Sequence, residues 1–209
     1  MHPFLTRLGV RPEVQEFFAP HYHSDTIGNL IFSYGNDREH FGFGFHLIPD
    51  TEMLWLAGNP NSHMIRRVFI CASAMEAIAF LSVKYPAFTN LDGLLFAAVG
   101  AKPSTEQIGW LTRNFGDRLF TLVFGKDILG RICELKVATG LSNMPVAIFI
   151  EGERIIVNYR FANYVFPAEA FSLNAFEKKT GCRFRIATQK PSAFDTYFAQ
   201  LRAGNLPNT

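Results

Sequence analysis

Residues Arg67–Leu81, RVFICASAMEAIAFL, open the part of the chain that decides its fold, and two further stretches complete it. These are GLLFAAVGAKPSTEQIGWLTRNF (Gly93–Phe115) and RLFTLVFGKDILGR (Arg118–Arg131). Each stretch begins with an apolar run and continues as a helical pattern, and such β–α repeats indicate a parallel sheet with right-handed crossovers. Each apolar run ends on small or polar residues, where a parallel sheet places its functional loops. We therefore expect the functional residues at these strand ends.

The composition is that of a globular protein with a balanced charge. Of 209 residues, 48% are apolar and 18% charged, and the net charge is +2. This balance argues against a strongly basic nucleic-acid arm but allows a local basic patch. Cys71, Cys133 and Cys182 fit no metal-ligand spacing and are interpreted as buried thiols in a reducing compartment. No apolar run approaches the ~18 residues of a membrane span, and the N-terminus lacks a signal-peptide pattern. We expect a soluble, cytoplasmic protein with no membrane partner.

A small α+β segment is predicted before the β–α units. Residues Phe4–Phe18 have the pattern of a broken helix, and Gly28–Leu47 is typical of a β-hairpin whose return strand has phenylalanine at every second position. A further strand is predicted at Met53–Leu56. The polar loop at residues 58–62 indicates a boundary, so residues 1–62 are the first predicted segment.

The second predicted segment, residues 63–150, contains the β–α units. Its predicted strands are Val68–Cys71, Leu94–Val99, Leu119–Phe124 and Val146–Ile150, and its predicted helices are Ala74–Lys84, one capped by Ser104 and Gln107, and Ile128–Ala138. The third segment, residues 151–209, is predicted as an α+β tail. It comprises a strand at Arg154–Tyr159 extending the sheet edge, a helix at Ala168–Lys179, a strand at Arg183–Ala187 and a helix at Ala193–Leu201.

Five short motifs occur along the chain in one order. They are Gly28–Tyr34 with Phe41–His46, Met53–Pro60, Ala72–Phe80, Val99–Arg113 and Phe124–Cys133. In this order and spacing they resemble the catalytic core of bacterial replicative primases with its Toprim (topoisomerase–primase) module, over about two thirds of the chain. The resemblance implies an α/β fold with a Toprim-like central parallel sheet flanked by helices. A small α+β primase-like subdomain would precede this sheet, and the α+β tail would follow it.

The acidic positions of that family are changed in this chain. The resemblance implies metal-dependent phosphoryl transfer by carboxylates at the ends of the first and third strands, because magnesium prefers oxygen ligands. The corresponding residues here are Ala72 and Gly125. Glu76 and Asp127 remain and could hold one hydrated magnesium ion. Alternatively, Glu76 lies on a helix face and Asp127 caps the helix that starts at Ile128. We favour this alternative and expect no cofactor.

The resemblance also implies a nucleic-acid surface. Its candidate residues are Lys126, Arg131, Lys102, Arg38 and His46, with Arg66 and Arg67 on the same strip. Lys126 is of most interest because it stands where the family binds metal, in a loop that leads into a helix N-terminus and so favours anions.

Three functions follow as hypotheses. The first is a catalytically degenerate primase-like Toprim protein, from a plasmid or other mobile element, that binds single- or double-stranded DNA or a protein partner of replication or mobilisation. The second is an active magnesium-dependent nucleotidyltransferase with a rearranged acidic site of Glu76, Asp127 and either Asp92 or Glu151. The third is a protein-interaction scaffold without DNA binding.

Overall fold

The structure is a computed structural model and describes residues 1–204; residues 205–209, the end of the third predicted segment, lie outside the described part. The helices within it are α1 (Pro3–Arg7), α2 (Pro12–Phe18), α3 (Ala74–Lys84), α4 (Thr105–Phe115), α5 (Ile128–Leu141), α6 (Leu173–Thr180) and α7 (Tyr197–Gly204). The strands are β1 (His23–Ser24), β2 (Leu30–Tyr34), β3 (Asp37–Gly42), β4 (Phe45–Leu47), β5 (Trp55–Gly58), β6 (Arg67–Cys71), β7 (Leu94–Ala98), β8 (Leu119–Val123), β9 (Ala147–Glu151), β10 (Arg154–Tyr159), β11 (Ala162–Pro167) and β12 (Ala187–Thr188).

A mixed five-stranded sheet with the order β12–β8–β6–β7–β5 forms the centre of the molecule. The β6, β7, β8 and β12 strands are parallel, which confirms the predicted β–α units. The sheet is not wholly parallel as predicted, because β5 pairs antiparallel with β7. Because β6 and β7 are parallel, β5 could run parallel to them only if a crossover returned the chain to the start of β6. Residues 59–66, which connect β5 to β6, are too few for such a crossover.

Alternating side chains of the central strands divide the core into two layers. Phe69 and Cys71 face a layer that includes residues of α2, α3 and α7, whereas Val68 and Ile70 face a layer with residues of α4, α5 and α6. Both faces of β6 are therefore covered, which is why its sequence is a nearly continuous apolar run.

The tail departs from the prediction. Val146–Ile150 and Arg154–Tyr159 do not extend the central sheet; β9 and β10 form a separate antiparallel sheet with β11, a strand that the sequence did not indicate. The fourth parallel strand is instead β12, which pairs with β8. Alternating burial in β10 explains the difference, since only one of its faces enters the core, as in an antiparallel sheet with a solvated side.

Other element boundaries vary in accuracy. The α3 helix is confirmed, as is the reciprocal capping box of Ser104 and Gln107 at α4. The third strand of the first segment is shifted to Trp55–Gly58, α6 starts at Leu173 after a short 3₁₀ turn, and α7 starts at Tyr197. The three cysteines are free thiols, of which only Cys71 is fully buried.

The central sheet takes strands from all three predicted segments. Its β5 strand comes from residues 1–62 and β12 from residues 151–209. The first segment also forms a four-stranded antiparallel sheet, β1–β2–β3–β4. Within residues 1–204, no helix has the length and hydropathy needed to cross a membrane.

Candidate functional site at the carboxyl edge of the central sheet

Ala72 and Gly125, the two positions singled out by the sequence resemblance, lie at one edge of the central sheet. Cys71 pairs with Val123, so Ala72 and Gly125 follow neighbouring parallel strands at the same edge. The sequence predicted this placement. A Cβ atom on Gly125 would lie 2.6 Å from a carboxylate oxygen of Asp127 and 3.2 Å from the backbone oxygen of Asp195. The Asp127 side chain and the chain's own tail therefore leave little room for a side chain at this position.

Glu76 is a buried cap for another helix. It lies in the first turn of α3, and its two carboxylate oxygens accept hydrogen bonds from the backbone N–H groups of Tyr197 (2.5 Å) and Phe198 (3.1 Å). These N–H groups belong to the first turn of α7, which has no partners for them within the helix. Burial raises the pKa of Glu76, while the two amides oppose this shift. Glu76 thus fixes α7 against α3 and does not point into solvent.

Asp127 and Lys126 also contact the chain itself. Asp127 accepts a hydrogen bond from the Gly130 backbone N–H at 2.7 Å, so the predicted cap of α5 is present. The Lys126 ammonium donates to the Ser192 carbonyl oxygen at 2.7 Å, and its backbone N–H donates to that of Asp195 at 2.8 Å. Both bonds of Lys126 hold the tail segment across the edge.

Lys190 places a further positive charge at the end of β8. Its ammonium donates to the carbonyl oxygens of Phe124 (3.1 Å) and Gly125 (3.0 Å) and lies 2.9 Å from a Glu134 carboxylate oxygen. Glu134 is buried on α5, and burial raises its pKa although the Lys190 charge opposes the shift. Lys190 therefore joins the tail, β8 and α5 at one point.

These contacts do not fit a magnesium site. Magnesium requires hard oxygen ligands with free lone pairs directed at one point. Both oxygens of Glu76 accept backbone N–H groups, Asp127 caps a helix, and the Lys126 and Lys190 ammonium groups bind carbonyl oxygens at the same edge. No group of three His, Cys, Asp or Glu side chains arranged for a metal occurs within residues 1–204.

A buried glutamate next to this edge was not identified from the sequence. Glu39 on β3 is fully buried, and its carboxylate accepts hydrogen bonds from the Tyr34 hydroxyl (2.7 Å) and the backbone N–H groups of Ala74 (2.8 Å) and Met75 (3.1 Å). His46 Nε2 lies 2.8 Å from Glu39 Oε1, the oxygen that also accepts from Met75. A carboxylate from the first segment thus accepts hydrogen bonds from two backbone N–H groups at the N-terminus of α3.

The pattern of β3 contained a signal for Glu39. Its burial alternates, with Glu39 and Phe41 inside and Arg38 outside. A glutamate two residues before a core phenylalanine lies on the same face of a strand. A charged residue at an inward position indicates a buried polar contact, because an unpaired buried carboxylate is costly. Its partners were not predictable, since Ala74 is distant in sequence.

Several of the predicted nucleic-acid-binding residues contact other parts of the chain. Arg131 donates to the carbonyl oxygens of Lys126, Ala168, Glu169 and Phe171 and so holds the loop before α6. Lys102 pairs with Asp50 at 2.7 Å on the surface. His46 contacts Glu39, and Arg38 is exposed on β3.

The two extra acids of the enzyme hypothesis are also separated from this edge. Asp92 lies just before β7, at the opposite edge of the central sheet, and Glu151 ends β9 in the separate antiparallel sheet.

We compared the chain with protein families, curated proteins and solved structures, and no family model, curated protein or solved structure matches it.

Proposed function

We propose that this protein is a catalytically degenerate, primase-like Toprim protein that binds nucleic acid without metal-dependent turnover. The resemblance in motif order supports the Toprim assignment, and the parallel β6, β7 and β8 strands with their crossover helices are consistent with it. A role in replication or mobilisation of a plasmid or other mobile element is the extrapolation from that resemblance.

The closed carboxyl edge carries the proposal. Metal-dependent phosphoryl transfer needs carboxylates that face the substrate. At this edge Glu76 caps α7, and Lys190 donates to the Gly125 carbonyl oxygen. We infer from these internal contacts that the protein acts by binding alone. Exposed arginines such as Arg38 and Arg67 supply positive charge for phosphate groups.

A titration tests this function. Fluorescent single-stranded and duplex oligonucleotides would be titrated with the protein in EDTA and in magnesium, at several salt concentrations. We expect binding in EDTA that weakens as salt rises, because phosphate contacts release counterions. Binding or nucleotide incorporation that requires magnesium would instead support the enzyme hypothesis. Absence of binding at low salt would refute nucleic-acid binding.

A second candidate, a protein-interaction scaffold, is favoured by the separate antiparallel sheet. Phe149 and Val165 flank Ile156 across three strands, and both are well exposed, at 55% and 40%. An exposed edge strand such as β9 can pair with a second copy of the chain. Light scattering would detect this dimer. Phe149→Lys should give monomers. Asn163→Lys, on the opposite edge strand β11, should not.

A further inference from the structure

We propose that a single-stranded nucleic acid binds in a basic groove at the amino edge of the central sheet, opposite the closed carboxyl edge. This proposal rests on the proposed function and assigns the binding surface and the form of nucleic acid. The groove has a volume of about 760 Å³. Typical sites for small ligands have about 300–1,000 Å³, so the groove has room for a short unpaired segment.

The groove exists because β12 is short. Its two residues pair only with Thr121 and Leu122, so the first half of β8 keeps an open edge beside residues 184–186. The parallel strands β6 and β8 start at this edge, and α3 ends there. Strand starts, a helix end and the tail thus surround one open space.

Four basic side chains line this space, and none of the described residues that line it is acidic. They are Arg67 at the start of β6, Lys84 at the end of α3, Arg118 just before β8, and Arg185 before β12. Asp117 pairs with Arg118 beside the groove. The excess of positive charge favours an anionic ligand.

Helix ends account for only part of this charge. Cations commonly lie at the carboxyl ends of helices, where they offset the helix dipole. This explains Lys84, which is the last residue of α3, but not Arg67 or Arg185, which lie outside the helices. The last two are exposed, so their guanidinium groups are accessible to a ligand.

The backbone at Arg185 also points to a ligand. Arg185 has a φ of 57°, a left-handed conformation that is uncommon for residues other than glycine and is enriched at ligand sites. Its side chain lines the groove, and a guanidinium carries donors suited to phosphate oxygens.

Aromatic rings in the groove favour nucleic acid over an acidic peptide. Phe88 and Phe120 line it and are half-buried, so part of each ring faces the open space. Unpaired bases stack on such rings, whereas the bases of a duplex are already stacked on each other. Cations combined with accessible rings are typical of single-strand binding surfaces.

Paired variants with equal charge changes test the location. Arg67→Gln with Arg185→Asn removes two groove cations, and asparagine tolerates the left-handed conformation at position 185. Arg154→Gln with Lys178→Gln removes two exposed cations that do not line the groove. With a fluorescent oligothymidylate, we expect the groove variant to lose affinity on the order of tenfold and the control little. Its slope of log K against log salt should fall by about 1.4, since each single-strand phosphate contact contributes about 0.7.

A second pair of variants distinguishes a loss of binding from a loss of folding. Thr112→Glu adds a negative charge to the groove on the surface of α4, and Asn114→Glu adds one to the same helix outside the groove lining. Only Thr112→Glu should weaken binding. Equal effects of the groove and control variants would overturn the location but leave the proposed function intact. Tighter binding of a duplex, or equal competition by polyglutamate, would overturn the single-strand assignment. Absence of binding by the unmodified protein would overturn both proposals.

Discussion

At the scale of single residues, two buried glutamates hold parts of the chain that are far apart in sequence. Glu39 from β3 accepts backbone N–H groups at the start of α3, and Glu76 from α3 accepts backbone N–H groups at the start of α7. Each carboxyl group therefore stabilises a helix N-terminus by accepting N–H groups that have no partner within the helix. Glu39 thus joins the first segment to α3, and Glu76 joins α3 to the tail.

Glu39→Ala should strongly destabilise the protein. The change leaves the Tyr34 hydroxyl and two backbone N–H groups without their buried acceptor. We expect the free energy of unfolding to fall by about 3–5 kcal/mol, as when one member of a buried charged network is removed. Urea denaturation would measure it, with the exposed Glu52→Ala as control. A loss no larger than that of the control would contradict the proposed contacts.

Glu76→Gln should change how stability depends on pH. The pKa of Glu76 is raised above its ordinary value of 4.5, so the folded state binds the proton more tightly than the unfolded state. The contribution of Glu76 to stability is therefore complete below pH 4.5 and declines as pH rises through the folded pKa. The glutamine variant lacks this decline.

Denaturation curves for both proteins from pH ~4 to ~8 would show the effect. The stability of Glu76→Gln relative to the unmodified protein should rise across this range and then level off. Glutamine keeps one carbonyl acceptor and loses the other, which adds a loss that does not depend on pH. Parallel pH profiles would contradict the raised pKa.

At the scale of elements, α7 is held by its first turn and by its apolar face. Tyr197 is fully buried, and its ring packs edge-on against Phe80 at 5.0 Å. Its hydroxyl has no hydrogen-bond partner among the described residues. Burial raises the pKa of Tyr197 to about 12, so the hydroxyl stays neutral. The ring therefore stabilises the docking of α7, whereas the hydroxyl does not.

Tyr197→Phe and Tyr197→Ala should differ in their effect on the free energy of unfolding. Phenylalanine keeps the ring and removes an unsatisfied buried polar atom, so we expect no loss of stability or a gain of up to about 1 kcal/mol. Alanine leaves a cavity, and we expect a loss of about 3–5 kcal/mol. Thermal and urea denaturation would compare them. A loss on Tyr197→Phe as large as on Tyr197→Ala would indicate a partner for the hydroxyl.

At the scale of the whole molecule, the tail closes the edge at which the resemblance places catalysis. Residues 189–198 cross the ends of β8 and β6, and Lys190, Lys126 and Glu76 each bond across this junction. The tail is thus part of the core structure, since β12 also belongs to the central sheet. The groove residues Arg67 and Arg185 are exposed at the opposite, amino edge of the sheet.

Lys190→Met should destabilise the protein by leaving the Glu134 carboxylate buried without its partner. We expect a loss of about 2–4 kcal/mol, because an unpaired buried charge is more costly than an apolar pair. The loss should shrink at acidic pH, where Glu134 becomes neutral. Adding Glu134→Leu should restore most of the stability in a double-mutant cycle. Lys136→Met, on the same helix as Glu134, is the control, and equal losses for both lysines would contradict the pairing.

Much of the fold could be predicted because its signals are local. The α3 helix, the capping box of Ser104 and Gln107, and the cap at Asp127 depend on residues within one helical turn. Apolar runs likewise identified the central strands. The separate β9–β10–β11 sheet was missed because an apolar strand does not indicate which sheet edge it joins.

The candidate site was predicted in position but not in its contacts. Chain order alone brings Ala72 and Gly125 to one edge, because parallel strands end together. Glu39 and Lys190 were missed, since their partners lie tens of residues away and only packing brings them together. Arg67 and Arg185 meet in the groove for the same reason.

The sequence by itself determined the β–α order, the helix caps and the small residues Ala72 and Gly125 that follow two of the strands. Each depends on neighbouring residues, on hydrophobic periodicity or on residue identity. Only the tertiary structure decided that β12 completes the sheet, that Glu76 binds the start of α7 and that the tail covers the carboxyl edge. These features depend on long-range packing, because a buried carboxylate or ammonium group takes whichever partners the folded chain brings within hydrogen-bond distance.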